Sequence, residues 1–236
     1  MVPLVIIRPE PGNTASTVMA RSLQMEAHGF PLFDVIARSW EAVPSERADA
    51  LLIGSANVFR HGGRGLGVLK GLPVYAVGEV TAAAARAAGF AIAETGTGTL
   101  QSLLDEIDGA HRRLLRLAGD ERVALSLPRG VTMEERVVYA SIALPFPAEL
   151  AAVLRQPAIV ALHSAEAARH LSAQCVTHGI RRAPLRIAAL SPRISAAAGE
   201  GWGDVAAPAY PDDKALLALA RQMCQDPWPA GRIAGN

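Results

Sequence analysis

Short apolar runs alternate with amphipathic stretches along the whole chain. "PLVII" (3–7), "DALLIG" (49–54), "PVYAV" (73–77), "AIVAL" (158–162) and "LRIAAL" (185–190) are continuous apolar runs of strand length. Such runs predict strands buried on both faces. "FDVIARSW" (33–40) alternates in character and predicts a half-exposed strand, and "RVVYASIAL" (136–144) a longer one. "AIAE", "RVALSL" (122–127) and "DVAAP" read as further short strands. Helical spacing fills the gaps. Ala15, Met19, Leu23 and Ala27 fall four apart, which predicts a helix capped by Asn13 or Thr14 and closed by Gly29 in the left-handed conformation. A short helix is expected from near Ala56 to "HGGRGLG", an alanine-rich one in "EVTAAAARAAGF", and one capped by Thr99 in "LQSLLDEID". "AELAAVL", "AEAARHLSAQCVTHG", "SAAAGEGW" and "KALLALARQMC" complete the helical set, and the Pro/Gly-rich "DPWPAGRIAGN" is expected to be disordered. Strands alternating with helices imply parallel sheets covered on both faces.

One turn is written twice. "LLIGSANVFRH" (51–61) and "IVALHSAEAARHL" (159–171) each run from a strand through a Ser-Ala pair into a helix. Each is followed by a second strand, a turn of small residues, an alanine-rich helix and a glycine. The repeated order predicts two similar α/β lobes, although any doubly wound protein repeats strand–turn–helix units. Half of the 236 residues are apolar, enough for a sizeable core. With 23 Lys and Arg against 22 Asp and Glu, the chain carries no electrostatic footprint for nucleic acid or an anionic membrane. The scarcity of aromatics argues against a base-stacking surface. Two cysteines, Cys175 and Cys224, lack metal-ligand spacing and read as reduced thiols. No basic leader opens the sequence, and no apolar run approaches the roughly 20 residues of a membrane span. A cytoplasmic globular protein is expected.

The ordered set "ADALLIGSANVFR", "VYAVGEVTAAAARAAGF", "RVVYASIAL", "IVALHSAEAARHL" and "IAALSPRISAAAGEGW" resembles the uroporphyrinogen-III synthase family. So does the opening "VIIRPEPGNTASTVMARSLQMEAHGF", with Arg-Pro after the first strand and Gly-Phe after the first helix. The likeness spans nearly the whole chain, though no single motif is very specific. It implies two doubly wound, flavodoxin-like parallel-sheet lobes joined by a two-stranded antiparallel β-ladder, with the active site in the cleft between them. One lobe would combine residues 1–30 with 148–236 and the other would hold 42–133. The ladder would use 31–41 and 134–147. The sequence departs from the family in two turns: "SPRI" stands where many members have Gly-x-x-Thr, and Gly54 rather than Thr precedes Ser55.

The resemblance also implies a chemistry. The family converts linear hydroxymethylbilane into cyclic uroporphyrinogen III, with loss of water and inversion of the last pyrrole ring. No metal or organic cofactor is implied. A pyrrole nitrogen can expel the hydroxyl, so the protein must mainly fold the chain and protonate the leaving group. Tyr139 in "RVVYAS" matches the family's tyrosine on the second connector and is the candidate general acid. The competing reading is a strand tyrosine with its hydroxyl in water. The polycarboxylate substrate needs anion donors, which helix N-termini supply without net charge. Ser55, Ala56 and Asn57 in one lobe and Ser164 and Ala165 in the other are candidates, with Gly78 and Thr81, and Ser191, Arg193 and Ser195, one strand over. Plain helix capping competes at each. Arg8, at the end of the first strand, is the candidate cation.

Other residues read as structural. "RHGGRGLG" lacks the order and context of a dinucleotide loop and reads as a flexible surface loop. His163 reads as a satisfied, partly buried histidine, Asp120-Glu121 as a solvated turn, and Glu134-Glu135 as a charged helix face. A monomer acting on hydroxymethylbilane is expected, with the preceding hydroxymethylbilane synthase as its candidate partner. The main alternative is a non-catalytic two-lobed binding protein for a small anionic ligand. A Rossmann oxidoreductase is disfavoured because "RPEPGN" has one glycine rather than three.

Overall fold

A computed structural model describes residues 2–226; the tail expected to be disordered lies outside them but for Asp226. The chain divides into two compact units, one of residues 1–34 with 143–236 and the other of residues 35–142.

The first unit holds β1 (Leu4–Ile6), β2 (Ala27–Gly29), β9 (Ala158–Leu162), β10 (Leu185–Ala189) and β11 (Asp204–Ala206) in one sheet of order β11-β10-β9-β1-β2. All four pairings are parallel. Alternate strand residues bury opposite ways. Val5, Val160 and Ile187 meet α5 (Ala148–Leu154), α6 (Ala165–Thr177) and α7 (Pro192–Ala198). Leu4, Ile159 and Ala188 meet α1 (Gly12–Ser22) and α8 (Asp213–Gln225).

The second unit holds β4 (Ala50–Ile53), β5 (Val74–Val77), β6 (Ile92–Gly96), β7 (Arg113–Gly119) and β8 (Thr132–Ala143), with β3 (Phe33–Ala37) at the edge, in the order β3-β8-β7-β4-β5-β6. The pairings from β8 through β6 are parallel. Leu51, Val74 and Leu115 pack on α2 (Asn57–His61) and α3 (Glu79–Ala87), while Leu52 and Leu114 pack on α4 (Leu100–Asp105). The connecting ladder is antiparallel: Arg38 N–H donates to Val138 O at 2.9 Å and Leu144 N–H to Leu32 O at 2.9 Å, so partners climb one strand as they descend the other. The earlier part of β8 also joins the parallel sheet beside β7, so the ladder is continuous with that sheet.

The strand orders explain the repeated turn. The first sheet, in chain order, reads 2-1-3-4-5. In the second sheet β7, β8, β4, β5 and β6 occupy those same five places. Each half of the sequence therefore supplies one complete strand set, but each unit takes two strands from one half and three from the other. Ser55 and Ser164 follow the equivalent third strand, β4 and β9.

Several element boundaries differ from the sequence expectation. Helix α1 stops at Ser22, and the positive φ belongs to Gln24, because 27–29 are taken up as β2 beside β1. Its buried face is Asn13, Ser16, Thr17 and Ala20, which hydrophobic spacing cannot reveal. The strand expected at 122–127 is β7 instead, at "RLLRLAG"; Val123 and Leu127 are exposed. "HGGRGLG" is not a loose loop: Gly63–Leu69 forms a 3-10 helix, and Trp40 donates to Gly62 O at 2.9 Å while lying against Gly65.

Candidate active site

Open α/β sheets bind ligands at the carboxyl ends of their strands, where the strand order reverses. In the second unit that point lies between β4 and β7. There the sequence candidates Tyr139 and Ser55 come together. The β7–β8 register slips at this point: Ala118 pairs with Val137, but Gly119 pairs with Tyr139. Val138 is the extra residue of a bulge, a device that re-aims side chains. Val138 and Tyr139 accordingly pack on the same core, which strict alternation forbids. The Tyr139 ring lies against Gly119, and the His61 ring of α2 sits with its centroid 6.4 Å from it.

The Tyr139 oxygen faces donors. Burial pushes the phenol above the usual tyrosine range, outweighing hydrogen bonds from the Ser55 hydroxyl and the Gly119 N–H that favour the ionised form. Ser55 Oγ in turn accepts from Asn57 N–H at 3.2 Å. With its acceptor side engaged there, the Ser55 hydroxyl is oriented to donate. Tyr139 is therefore a neutral phenol at physiological pH: burial and the nearby Asp120 charge disfavour the phenolate, and the Ser55 hydroxyl, the Gly119 N–H and the Arg116 charge offset this only in part.

The neighbouring candidates are placed less uniformly. Ala56 is buried, and Asn57 opens α2 with its side-chain oxygen accepting from Arg60 at 3.0 Å. Gly78 caps α3 with a φ of 76°, a left-handed conformation that suits glycine, and Thr81 is buried in the first turn. Helix α2 spans only five residues and α7 seven, so neither sums a large dipole.

At the order reversal of the first sheet, between β1 and β9, the structure assembles a network that the sequence reading missed. Arg8 Nη1 donates to Ser16 Oγ at 3.1 Å and lies 3.4 Å from Asp213 Oδ1. Ser16 Oγ donates to Asp213 Oδ2 at 2.7 Å, and His163 Nε2 lies 2.7 Å from Asp213 Oδ1. Arg8 lies over Gly12, where a Cβ would overlap its guanidinium. Burial alone would raise the Asp213 carboxyl, but hydrogen bonds from His163 and Ser16, with the Arg8 charge, hold it below its usual range. Ser16 and Asp213 carried no signal in the hydrophobic pattern; only the polar buried face of α1 marks the place.

Of the remaining first-unit candidates Ser164 caps its helix with its side chain, whereas Ser191 stands at the N-cap of α7 without a side-chain capping bond. Ser164 Oγ accepts from Ala167 N–H at 3.0 Å, closing its own helix, and Ala165 is buried beneath it. Ser195 Oγ returns to Ser191 O at 3.4 Å. Arg193 is exposed on α7, while Ile194 is buried in the core, which accounts for an apolar residue at that turn. Glu134 and Glu135 lie on β8 rather than a helix. Glu135 pairs with the buried Arg116 at 2.7 Å and with Arg122 at 3.2 Å; Glu134 pairs with Arg47 at 3.2 Å and with Arg136 at 2.5 Å.

His163 sets a pH dependence. Burial pushes its imidazole below the usual range, and the Arg8 charge adds to this against the pull of Asp213. At neutral pH it is an uncharged donor to Asp213, with Nδ1 buried and without a partner among the described residues. The unfolded chain takes up a proton near pH 6.5 that the folded chain refuses. This contribution to stability is complete above that pH and is lost as pH falls below it. Urea midpoints should fall between about pH 7 and pH 5, and His163→Gln should flatten that decline. An unchanged slope in the variant would remove His163 as its source. His170, lowered by burial, contributes in the same direction.

The fold agrees with what the chain is similar to. A family model for uroporphyrinogen-III synthase HemD matches residues 16–218. No curated protein matches the sequence. The solved uroporphyrinogen-III synthetase of Helicobacter pylori 26695 shares the fold at 17% identity, with a TM-score of 0.61, covering 94% of this chain and 100% of that one. A mutant uroporphyrinogen III synthase of the extremely thermophilic bacterium Thermus thermophilus does so at 19% identity, with a TM-score of 0.55, covering 96% of this chain and 100% of the other. The match over most of its length places this chain in the uroporphyrinogen-III synthase family, the cyclising lyases of tetrapyrrole biosynthesis.

Proposed function

We propose that the chain acts on hydroxymethylbilane as a monomer and that Tyr139 is its general acid. The observation that carries this reading is the seating of Tyr139 at the order reversal of the second sheet, its ring against Gly119 and its hydroxyl beside Ser55. A pyrrole nitrogen pushes out the hydroxymethyl oxygen, and Tyr139 gives that oxygen its proton so that it departs as water. The Ser55 hydroxyl and the Gly119 N–H lessen the cost of the phenolate until it is reprotonated. The resulting azafulvene cation is attacked at the substituted carbon of the terminal pyrrole, and the spiro product reopens with that ring inverted.

Positioning falls to the strand ends. We assign substrate carboxylates to the turns at Ser55-Ala56-Asn57 and Gly78–Thr81 in one unit, and to Arg8, Ser164-Ala165 and Ser191, Arg193 and Ser195 in the other. Backbone N–H groups carry most of this task, since the serine hydroxyls largely serve their own helices. The reading places the enzyme in the cytoplasm, downstream of hydroxymethylbilane synthase. No helix among the described residues is long and apolar enough to cross a membrane.

The test is the product isomer. Hydroxymethylbilane generated in situ is incubated with the chain, and the oxidised porphyrins are resolved. Type III should dominate. Type I alone at saturating protein would eliminate the proposal and favour a non-catalytic binding protein.

A further inference from the structure

We infer that Gly119 is a positioning residue for Tyr139: its missing side chain and the bulge at Val138 together seat the phenol at the carboxyl end of β7. The inference rests on the general-acid reading of Tyr139 for its catalytic part and on geometry alone for its structural part.

Glycine is commonly required where the backbone turns left-handed. Gly119 is not among the glycines with positive φ, so its backbone would accept any residue. What excludes a side chain is Tyr139. A Cβ at 119 would stand 2.6 Å from Cε2 of the ring, 2.8 Å from Cζ and 3.0 Å from the hydroxyl oxygen. Real Cβ atoms do not come as close as the two ring-carbon distances, and the contact falls on the hydroxyl-bearing end of the ring rather than on its stem. Gly119 is itself buried, so the ring cannot be relieved by a shift of the backbone into solvent.

The bulge supplies the second half of the device. Without the extra residue, Gly119 would pair with Val138 and the tyrosine would point to the opposite face of the sheet. With it, the ring comes to lie directly across from the one position in β7 that has no side chain. Bulge and glycine are therefore two parts of one arrangement, and neither places the hydroxyl alone.

The test separates position from catalysis. The chain has three tyrosines. With ring-labelled tyrosine, Tyr139→Phe identifies the Tyr139 carbon resonance, and Gly119→Ala should shift that resonance while leaving the other two in place. Gly119→Ala should also lower the melting temperature in the wild-type background but not in a Tyr139→Ala background, where the space is open. In turnover, Gly119→Ala should lower kcat by about tenfold, as small displacements of reacting groups do, with KM little changed. It should add nothing to the loss already caused by Tyr139→Phe. An unshifted resonance, or an equal loss of stability in both backgrounds, would overturn the inference. If instead the resonance shifts and the stability cycle behaves as stated but Tyr139→Phe turns over normally, the general-acid reading fails and the positioning of the ring stands.

Discussion

Replacing Tyr139 by phenylalanine should slow turnover by about tenfold or more, equivalent to roughly 1.4 kcal/mol per decade of transition-state stabilisation. The substitution removes one oxygen and keeps the ring on Gly119, so the core it packs against should stay intact. What is lost is the proton given to the departing hydroxyl. Substrate binding depends on the strand-end donors, so KM should change little; a fall in kcat with unchanged KM is the mark of an interaction made only in the transition state. The pH profile supplies a second check. The wild-type phenol lies above the usual tyrosine range because it is buried, so the acid form is present throughout neutral pH and its loss appears only at alkaline pH. That alkaline limb should vanish in the variant. Equal kcat values for the two proteins would remove Tyr139 from the mechanism.

The largest effect on stability is expected at Asp213. Its carboxylate is the common acceptor for Arg8, Ser16 and His163, groups drawn from the end of β1, from α1 and from the end of β9. Asp213→Ala leaves a half-buried arginine and a buried imidazole without this partner, and removing one member of such a set costs about 2–3 kcal/mol. Asp213→Asn keeps one acceptor oxygen, for His163 or for Ser16 but not for both, and loses the charge opposite Arg8, so its cost should fall between those of wild type and alanine. Urea unfolding at about pH 7.5, where the imidazole is neutral, measures both. If Asp213→Ala unfolded at the wild-type midpoint, the network would be a surface contact with no structural weight.

The two sites differ in how far the sequence reveals them. The fold was legible because buried parallel strands are apolar throughout: "DALLIG" and "AIVAL" admit little else, and the repeated Ser-Ala turn marked the equivalent strands β4 and β9. The short strand β2 was not legible, since "AHG" has no apolar run and pairs only because β1 lies beside it. Strand β7 was obscured by Arg113 and Arg116, whose charges are met by Asp49 and Glu135 from distant parts of the chain. Tyr139 was reached through a family likeness, and its partner Gly119 had no local mark, because the bulge that joins them is a property of pairing. Asp213 lies 205 positions from Arg8, and no spacing rule links residues so far apart.

The most direct test of the whole account is a single-turnover experiment with the chain in excess over hydroxymethylbilane, quenched by oxidation at successive times. Rate and isomer are then read together, and wild type is compared with Tyr139→Phe. If the strand ends fold the substrate and the phenol only supplies the proton, both proteins give the type III porphyrin and the variant gives it more slowly. Type I product from the wild-type chain, or type III from the variant at the wild-type rate, would contradict the account.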